Sequence, residues 1–406
     1  YNGGSEVLDI FGKPGEDPAD WIPGEFYVHG TYDQGATGTI NILGGGSFIC
    51  DKPGTSIMYV RGNFNLDDGI FEISNNHLNL LAVCNINGGT IRSGGTFWAT
   101  IAGNFQPTAG VVELIGSGSS GQYINVNSTN YFYDLLIDRT NSIQIYGGTE
   151  LHVMNDFTIL SGGLQTNSLP MYVGGDWDNQ AGTAAFDEAG GTVYFNGTSG
   201  GMQFVNSDEH FYHLVNNTDV AIRVNSSQDT LEIDSYEWVS GSVSVAYGTF
   251  IANDLVQSGI YGSWYALANS KIYLYQSGAQ YVDMFGDAFF INGGMMKVIG
   301  GNDESYWCTS SPLNVTIANG GVLDFDGPGV TIFNNAGLTY DLSGGTLRTS
   351  GYLTVNRPDF NPAGSTVEFY GGNDAQMYLD PGSSFNDLLV NKSGGDGAGF
   401  VIKERD

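Results

Sequence analysis

Basic residues are the scarcest component of this chain: 406 residues carry 13 Lys and Arg against 43 Asp and Glu, a formal charge of −30. Phosphate backbones and anionic lipid surfaces are bound by clustered cations, so neither nucleic acid nor an acidic membrane is a suitable partner. Long apolar runs are missing as well, and none approaches the ~18 residues of a membrane-spanning helix. No window sustains apolar residues at i, i+3, i+4 and i+7, so little helix is expected. There are three cysteines, Cys50, Cys84 and Cys308, without Cys-x-x-Cys spacing. An odd count excludes a fully paired disulfide framework, and each is read as a small buried apolar residue. No starting Met or secretory leader opens the sequence, which reads as a mature chain or an excerpt of a longer one.

Glycine is what the chain has in excess, 61 residues, roughly twice the ordinary ~7%. The glycines punctuate a repeated sentence. One copy runs Ala189-Gly190-Gly191-Thr192-Val193-Tyr194-Phe195-Asn196-Gly197, then Gln203-Phe204-Val205, then Phe211-Tyr212-His213-Leu214-Val215-Asn216. Others begin at Ala109-Gly110-Val111 and Ala363-Gly364-Ser365, with degenerate copies at Lys271-Ile272-Tyr273 (with Gln280-Tyr281) and Gly38-Thr39-Ile40. The anchors Ile40, Val112, Val193, Ile272 and Val367 recur roughly 70 to 95 residues apart, the mark of an array.

Inside this long period lies a short one. Asn or Asp before an aromatic or aliphatic residue, then Gly before an aliphatic one, recurs at Asn63-Phe64 with Gly69-Ile70, Asn85-Ile86 with Gly89-Thr90-Ile91, and Asn104-Phe105 with Gly110-Val111. It returns at Asp156-Phe157, Asp176-Trp177 and Asp254-Leu255. A rung of about 20 residues with short strands and Gly/Asn corners is one coil of a parallel β-helix. The spacing therefore predicts an all-β, right-handed parallel β-solenoid running as a single body over 1–406. About 20 coils at ~4.8 Å would extend roughly 95 Å. Residues 13–24, with Pro14, Pro18 and Pro23, read as an irregular excursion, because proline cannot donate to a central ladder. A β-sandwich or propeller is the competing architecture, but two-residue hairpin turns between alternating runs are few.

The pattern Gly-x-Val-x-Phe-x-Gly, Gln-x-Ile, Phe-x-x-Leu-x-Ile-x-Asn, as it stands over residues 90–395, resembles the repeats of large secreted surface β-solenoid proteins of Bacteroidota-type bacteria. The resemblance implies an extracellular or cell-surface location and export by type IX secretion, although that family's C-terminal sorting domain is not visible here.

Catalytic patterns are incomplete. Polygalacturonase-like chemistry would use Asn217-Thr218-Asp219 and the Asp67-Asp68 pair, but the accompanying Gly-His-Gly and Arg-x-Lys are absent. Carboxylate pairs for glycoside hydrolysis discriminate nothing among so many acids. The thirteen cations stand singly, which disfavours lyase chemistry. His210 and His213 lie on opposite sides of a strand and do not form a metal pair. Asp324-Phe325-Asp326-Gly327 and Asp176-Trp177-Asp178 offer the oxygen ligands Ca²⁺ prefers, yet complete neither an EF-hand-like loop nor a Gly-Gly-x-Gly-x-Asp nonapeptide, and read as solvated turn carboxylates. Trp98, Trp177, Trp238, Trp264 and Trp307 would mark a sugar-stacking face if they line up outside. Trp177 and Trp238, however, occupy the places of Phe157 and Phe105 and so belong to a core ladder. Asn196-Gly197-Thr198 and Asn216-Asn217-Thr218 are glycosylation acceptors in a host that uses them.

The chain stops near the phase at which it begins: Phe385-Asn386-Asp387-Leu388-Leu389-Val390 repeats the first part of an internal unit, and Tyr1-Asn2-Gly3-Gly4-Ser5-Glu6-Val7-Leu8 matches the second. Without a polar cap, either a longer array or head-to-tail stacking follows. The expectation is an extracellular structural protein of a fibre, sheath or stalk, without catalytic residues or cofactor and assembling through its ends. A surface adhesin holding glycans is the alternative, with a polysaccharide lyase or hydrolase behind it.

Overall fold

A computed structural model describes residues 7–11, 25–28, 38–51, 57–117, 122–198, 201–224, 226–257, 259–276, 282–284, 286–300, 305–307, 313–327, 329–333, 337–372, 374–393 and 399–404. The proline-rich excursion at 13–24, Tyr1–Glu6, Gln280-Tyr281, Cys308 and the side chain of Trp307 lie outside them. Strands make up 63% of the structure, joined by turns, with one short 3₁₀ turn at Thr183–Ala185. None of their helices is long and apolar enough to cross a membrane. Every strand pair between them whose register is defined is parallel, as in Val111–Gly116 against Asp134–Arg139 and Met295–Ile299 against Val322–Asp326. Parallel pairing throughout excludes the hairpin-built sandwich. The fold is a β-solenoid with coils of about 22 residues and about 15 turns, fewer and longer coils than the sequence period suggests. Some coils hold to the short period, since Asn65 and Asn85 meet 20 residues apart. Others are longer, with Asn292 and Asn319 meeting 27 apart.

Two compact units are distinguished, Tyr1–Gly197 and Thr198–Asp406. In unit 1 each coil has three faces. The first carries Thr39–Leu43, Asn63–Leu66, the start of Cys84–Ser93, and later Leu151–Val153, Met171–Val173 and Thr192–Phe195. Single bridges, Cys84 with Phe105 and Phe132 with Val153, carry this face across the intervening coils. The second face carries Ser47–Cys50, Ile70–Ile73, the end of Cys84–Ser93, Ala109–Gly116, and the starts of Asp134–Ile145 and Phe157–Gln165. The third carries Ile57–Val60, His77–Leu80, Phe97–Ala99, Tyr123–Val126 and the end of Asp134–Ile145. Unit 2 repeats the plan. Its first face runs from Thr249–Ala252 through Lys271–Gln276, Met295–Gly300, Val322–Asp326, Thr346–Thr349 and Thr366–Gly371 to Asp387–Lys392.

Because side chains alternate across a strand and the strands stack in register, one inward residue per coil builds a continuous row. On the second face of unit 1 this row reads Phe48, Phe71, Ile91, Val112, Leu135, Phe157, Trp177, each nearly or wholly buried. Phe48 stacks on Phe71 at 5.1 Å, and Phe157 meets Trp177 at 4.7 Å. Such aromatic pairs contribute about 0.5–1.5 kcal/mol beyond the area they bury.

The corners explain the short sequence phrase. Gly69, Gly89 and Gly110 all take positive φ, and they sit one above another. A Cβ on Gly89 would fall 2.7 Å from the Gly69 carbonyl oxygen, and one on Gly110 would fall 2.7 Å from that of Gly89. The Asp of the phrase serves the corner as well. Asp156 Oδ1 accepts the Asp176 amide at 2.8 Å, and Asp134 Oδ1 accepts the Asp156 amide at 3.0 Å. Each carboxylate thus satisfies a corner N–H of the next coil.

Gly103 also has positive φ, but its Cβ direction is open. Gly103→Ala is expected to cost about 1 kcal/mol, the backbone contribution alone. Gly89→Ala adds a backbone collision and is expected to cost about 3 kcal/mol. Denaturant unfolding of the two variants checks the difference, and equal losses would refute the stacked-corner account.

Candidate functional site

Outward positions stack in rows just as inward ones do, and the scarce cations are placed in these rows. On the second face of unit 1, Glu72, Arg92 and Glu113 stand in register. Arg92 Nε lies 2.5 Å from Glu113 and Nη1 3.6 Å from Glu72. On the first face of unit 2 the row is Tyr273, Lys297, Asp324, Arg348, Glu368, Leu389. Lys297 Nζ is 2.6 Å from Asp326 and 3.9 Å from Asp324, while Arg348 reaches Asp324 at 3.7 Å and Glu368 at 3.0 Å. Arg348 also covers the Tyr370 ring at 4.3 Å. Cations that stand singly in the sequence therefore alternate with acids along the stack.

Asp324 and Asp326 are not solvated turn residues. Both lie in the strand Val322–Asp326, and Asp324 is 2% exposed, under the stems of its neighbours. Burial pushes the Asp324 carboxyl up, against the pull of Tyr370, Arg348 and Lys297. Burial acts on Asp326 too, but the Lys297 ammonium bound to it prevails and holds it below the usual carboxylate range. Asp176 and Asp178 flank Trp177; Asp178 accepts a 2.8 Å bond from Gln180. Among the described residues no three His, Cys, Asp or Glu gather as metal ligands.

The histidines go separate ways. His210 Nε2 lies 3.1 Å from Asp234, and His213 lies 3.1 Å from Ser235 and 3.6 Å from Glu237. Asp67 and Asp68 are exposed in unit 1, where Asp67 accepts from Asn87 at 2.8 Å. In unit 2 Asn217 and Asp219 are exposed, while Thr218 is buried and its hydroxyl accepts the Val220 amide. Cys50 and Cys84 are both buried, and burial pushes the Cys84 thiol up to about 12. Asn216 is fully buried, bonded to the Tyr236 hydroxyl at 3.0 Å, and so closed to modification in the fold; Asn196 is half-buried.

Of the tryptophans, Trp177 and Trp264 are core residues. Trp238 is not: its ring lies against Tyr261 at 5.6 Å and its Nε1 donates to Gly241 O at 3.0 Å. Tyr236, two residues earlier, takes the core place between Phe250 and Trp264. The coil enters its corner two residues out of phase with the phrase Asp-Phe or Asp-Trp. Trp98 points outward on the third face of unit 1, beside His77 at 5.3 Å and Tyr123 at 5.7 Å, and Tyr123 in turn meets Tyr146 at 5.0 Å. A second outward stack, His152, Tyr172 and Tyr194, lies face to face at 4.5 Å per step. Its rings cover one another.

The last coil differs from all of these. In the inward row Phe250, Ile272, Met296, Leu323, Leu347, Val367, Leu388 the first six are buried, and Leu388 is 39% exposed. On the neighbouring face Val330, Leu353 and Met377 are buried while Ile402, next in register, is 58% exposed. Val390 and Val401 are exposed with them.

Compared with family models, curated proteins and solved structures, the chain finds no match.

Two carboxylates a residue apart should give opposite pH signatures. A raised folded pKa costs stability as pH rises through it, so Asp324→Asn should remove a loss that wild type shows above the usual carboxylate range. Asp326, held low, contributes stability that is present above its ordinary pKa near 4 and lost as pH falls below it. Asp326→Asn should therefore weaken the fold at neutral pH by less than about 1 kcal/mol, since the pair is partly exposed. Thermal unfolding between pH 3 and 8 reads both, and parallel curves would refute the assignment.

Proposed function

We propose that this chain is a structural protein of a bacterial surface, a β-solenoid module of a fibre, sheath or stalk that lengthens by coil-on-coil stacking. The observation that carries the reading is the all-parallel ladder itself, in which each coil is completed by the coils beside it, as Met296 is by Ile272 and Leu323. Covering a Leu or Ile side chain is worth roughly 1.5–3 kcal/mol, and the strand edges beside it offer backbone groups for pairing. The occupant that fits is another coil of the same design. The high acidic charge limits lateral clumping while leaving axial contacts apolar. The repeat resemblance supports an extracellular setting, with secretion from a Bacteroidota-type cell. A second reading, a surface adhesin that holds glycans, is favoured by the outward aromatics around Trp98.

Concentrated wild-type protein should form filaments or end-joined oligomers in negative-stain images. Leu388→Glu combined with Ile402→Glu should abolish them, with circular dichroism unchanged. Monodisperse wild-type monomers at high concentration would overturn the stacking proposal.

A further inference from the structure

The third face of unit 1 carries a row of outward residues that neither the core nor the corners require. Tyr59 stands opposite Asn79, Asn79 opposite Trp98, and Trp98 opposite Asn125. The next pair in register is Ile124 with Ile145, which sets Tyr146 beside Asn125. Read along the stack, five successive coils present Tyr, Asn, Trp, Asn, Tyr. The aromatic rings thus return at every second coil, an axial interval of about 10 Å, twice the inter-strand spacing. Amides fill the intervals.

The chemistry of the row is specific. Trp98 packs at 77° to Tyr123 and at 58° to His77, flat against neither, unlike the parallel rings of the His152 stack. Tyr146 is 61% exposed. Asn79 Oδ1 is shielded from water and accepts no hydrogen bond from the described residues, and Gln122 Oε1, next to Tyr123, is in the same state. A buried acceptor left unmade costs about 1–3 kcal/mol, and a turn of either side chain would bring its amide outward to meet a donor. Burial also lowers the His77 pKa, which keeps that imidazole neutral at the edge of the row. None of the five residues of the row is a carboxylate, in a protein whose overall field repels anions.

We infer that this row is a binding track for a neutral, extended polysaccharide of β-linked pyranose units, lying along the stacking axis. Pyranose rings present C–H faces that stack on aromatic side chains, and hydroxyls that donate to amide oxygens. In an extended β-linked chain alternate sugars show the same face, so the disaccharide period is the one that a ring at every second coil would meet. Polyuronates carry the wrong charge, and a helical α-glucan does not lie flat on a straight row. The inference rests on the glycan-holding reading and is independent of coil stacking.

Affinity electrophoresis and calorimetry with hydroxyethyl cellulose and cellohexaose, against amylose and polygalacturonate, test it. The stacking-deficient Leu388→Glu/Ile402→Glu protein serves as the background, so failure of assembly and failure of binding are read separately. Retardation is expected with hydroxyethyl cellulose alone among the polymers. Trp98→Ala should weaken cellohexaose binding at least tenfold, Tyr146→Ala and Asn79→Ala several-fold each, and Tyr194→Ala in the other stack should leave it unchanged. Unaltered thermal unfolding of Tyr146→Ala, an exposed residue, separates lost binding from lost folding. No retardation by any β-linked glucan, or retardation indifferent to Trp98 and Tyr146, would overturn the track.

Discussion

Everything in this molecule depends on the in-register parallel ladder between successive coils. A coil of some 20 residues cannot bury an apolar face or pair its own backbone groups, and it gains both only from the coils on either side. Once register is fixed, side chains have no freedom over whom they meet. Phe71 must lie on Phe48, Arg92 must lie between Glu72 and Glu113, and Asp156 must receive the amide of Asp176. Core, corner and surface are three readings of one constraint.

That constraint also governs electrostatics. Stacking at strand spacing would place like charges within a few ångströms, a destabilising arrangement in a chain so rich in acids. The row Lys297, Asp324, Arg348, Glu368 avoids it by alternation, and Asn41, Asn65 and Asn85 avoid it by passing a hydrogen bond from amide to amide. The few basic residues are therefore effective in proportion to their placement, and they relieve the stack where acids fall in register.

Much of the fold is legible in the sequence because the corners impose strict chemistry. Gly69, Gly89 and Gly110 can be no other residue without collision, and the Asp or Asn before the first inward aromatic serves the next coil's amide, so both recur visibly. Trp177 can be assigned to the core from the phrase for this reason. The charge rows are not legible, since their members are separated by one coil each and coil length drifts from 19 residues (Leu231 to Phe250) to 32 (Leu8 to Ile40). The same drift makes the phrase misleading at Trp238, where Tyr236 enters the core instead. Asp324 resembles a turn carboxylate because Asp-Phe-Asp-Gly is a turn-like string; only the register shows that Lys297 and Arg348 cover it. The Tyr59-to-Tyr146 row is hidden likewise, its regular alternation existing in space but not along the chain.

The drift in coil length has a further meaning. Strand register is kept across coils of different length, as between Met296 and Leu323, so each coil is an exchangeable storey with standard floor and ceiling. Duplication or loss of one storey would change the building's height and leave its plan intact. For such a protein, size is a character that recombination can adjust by single increments, while the inscription on any outer wall is edited one residue per floor.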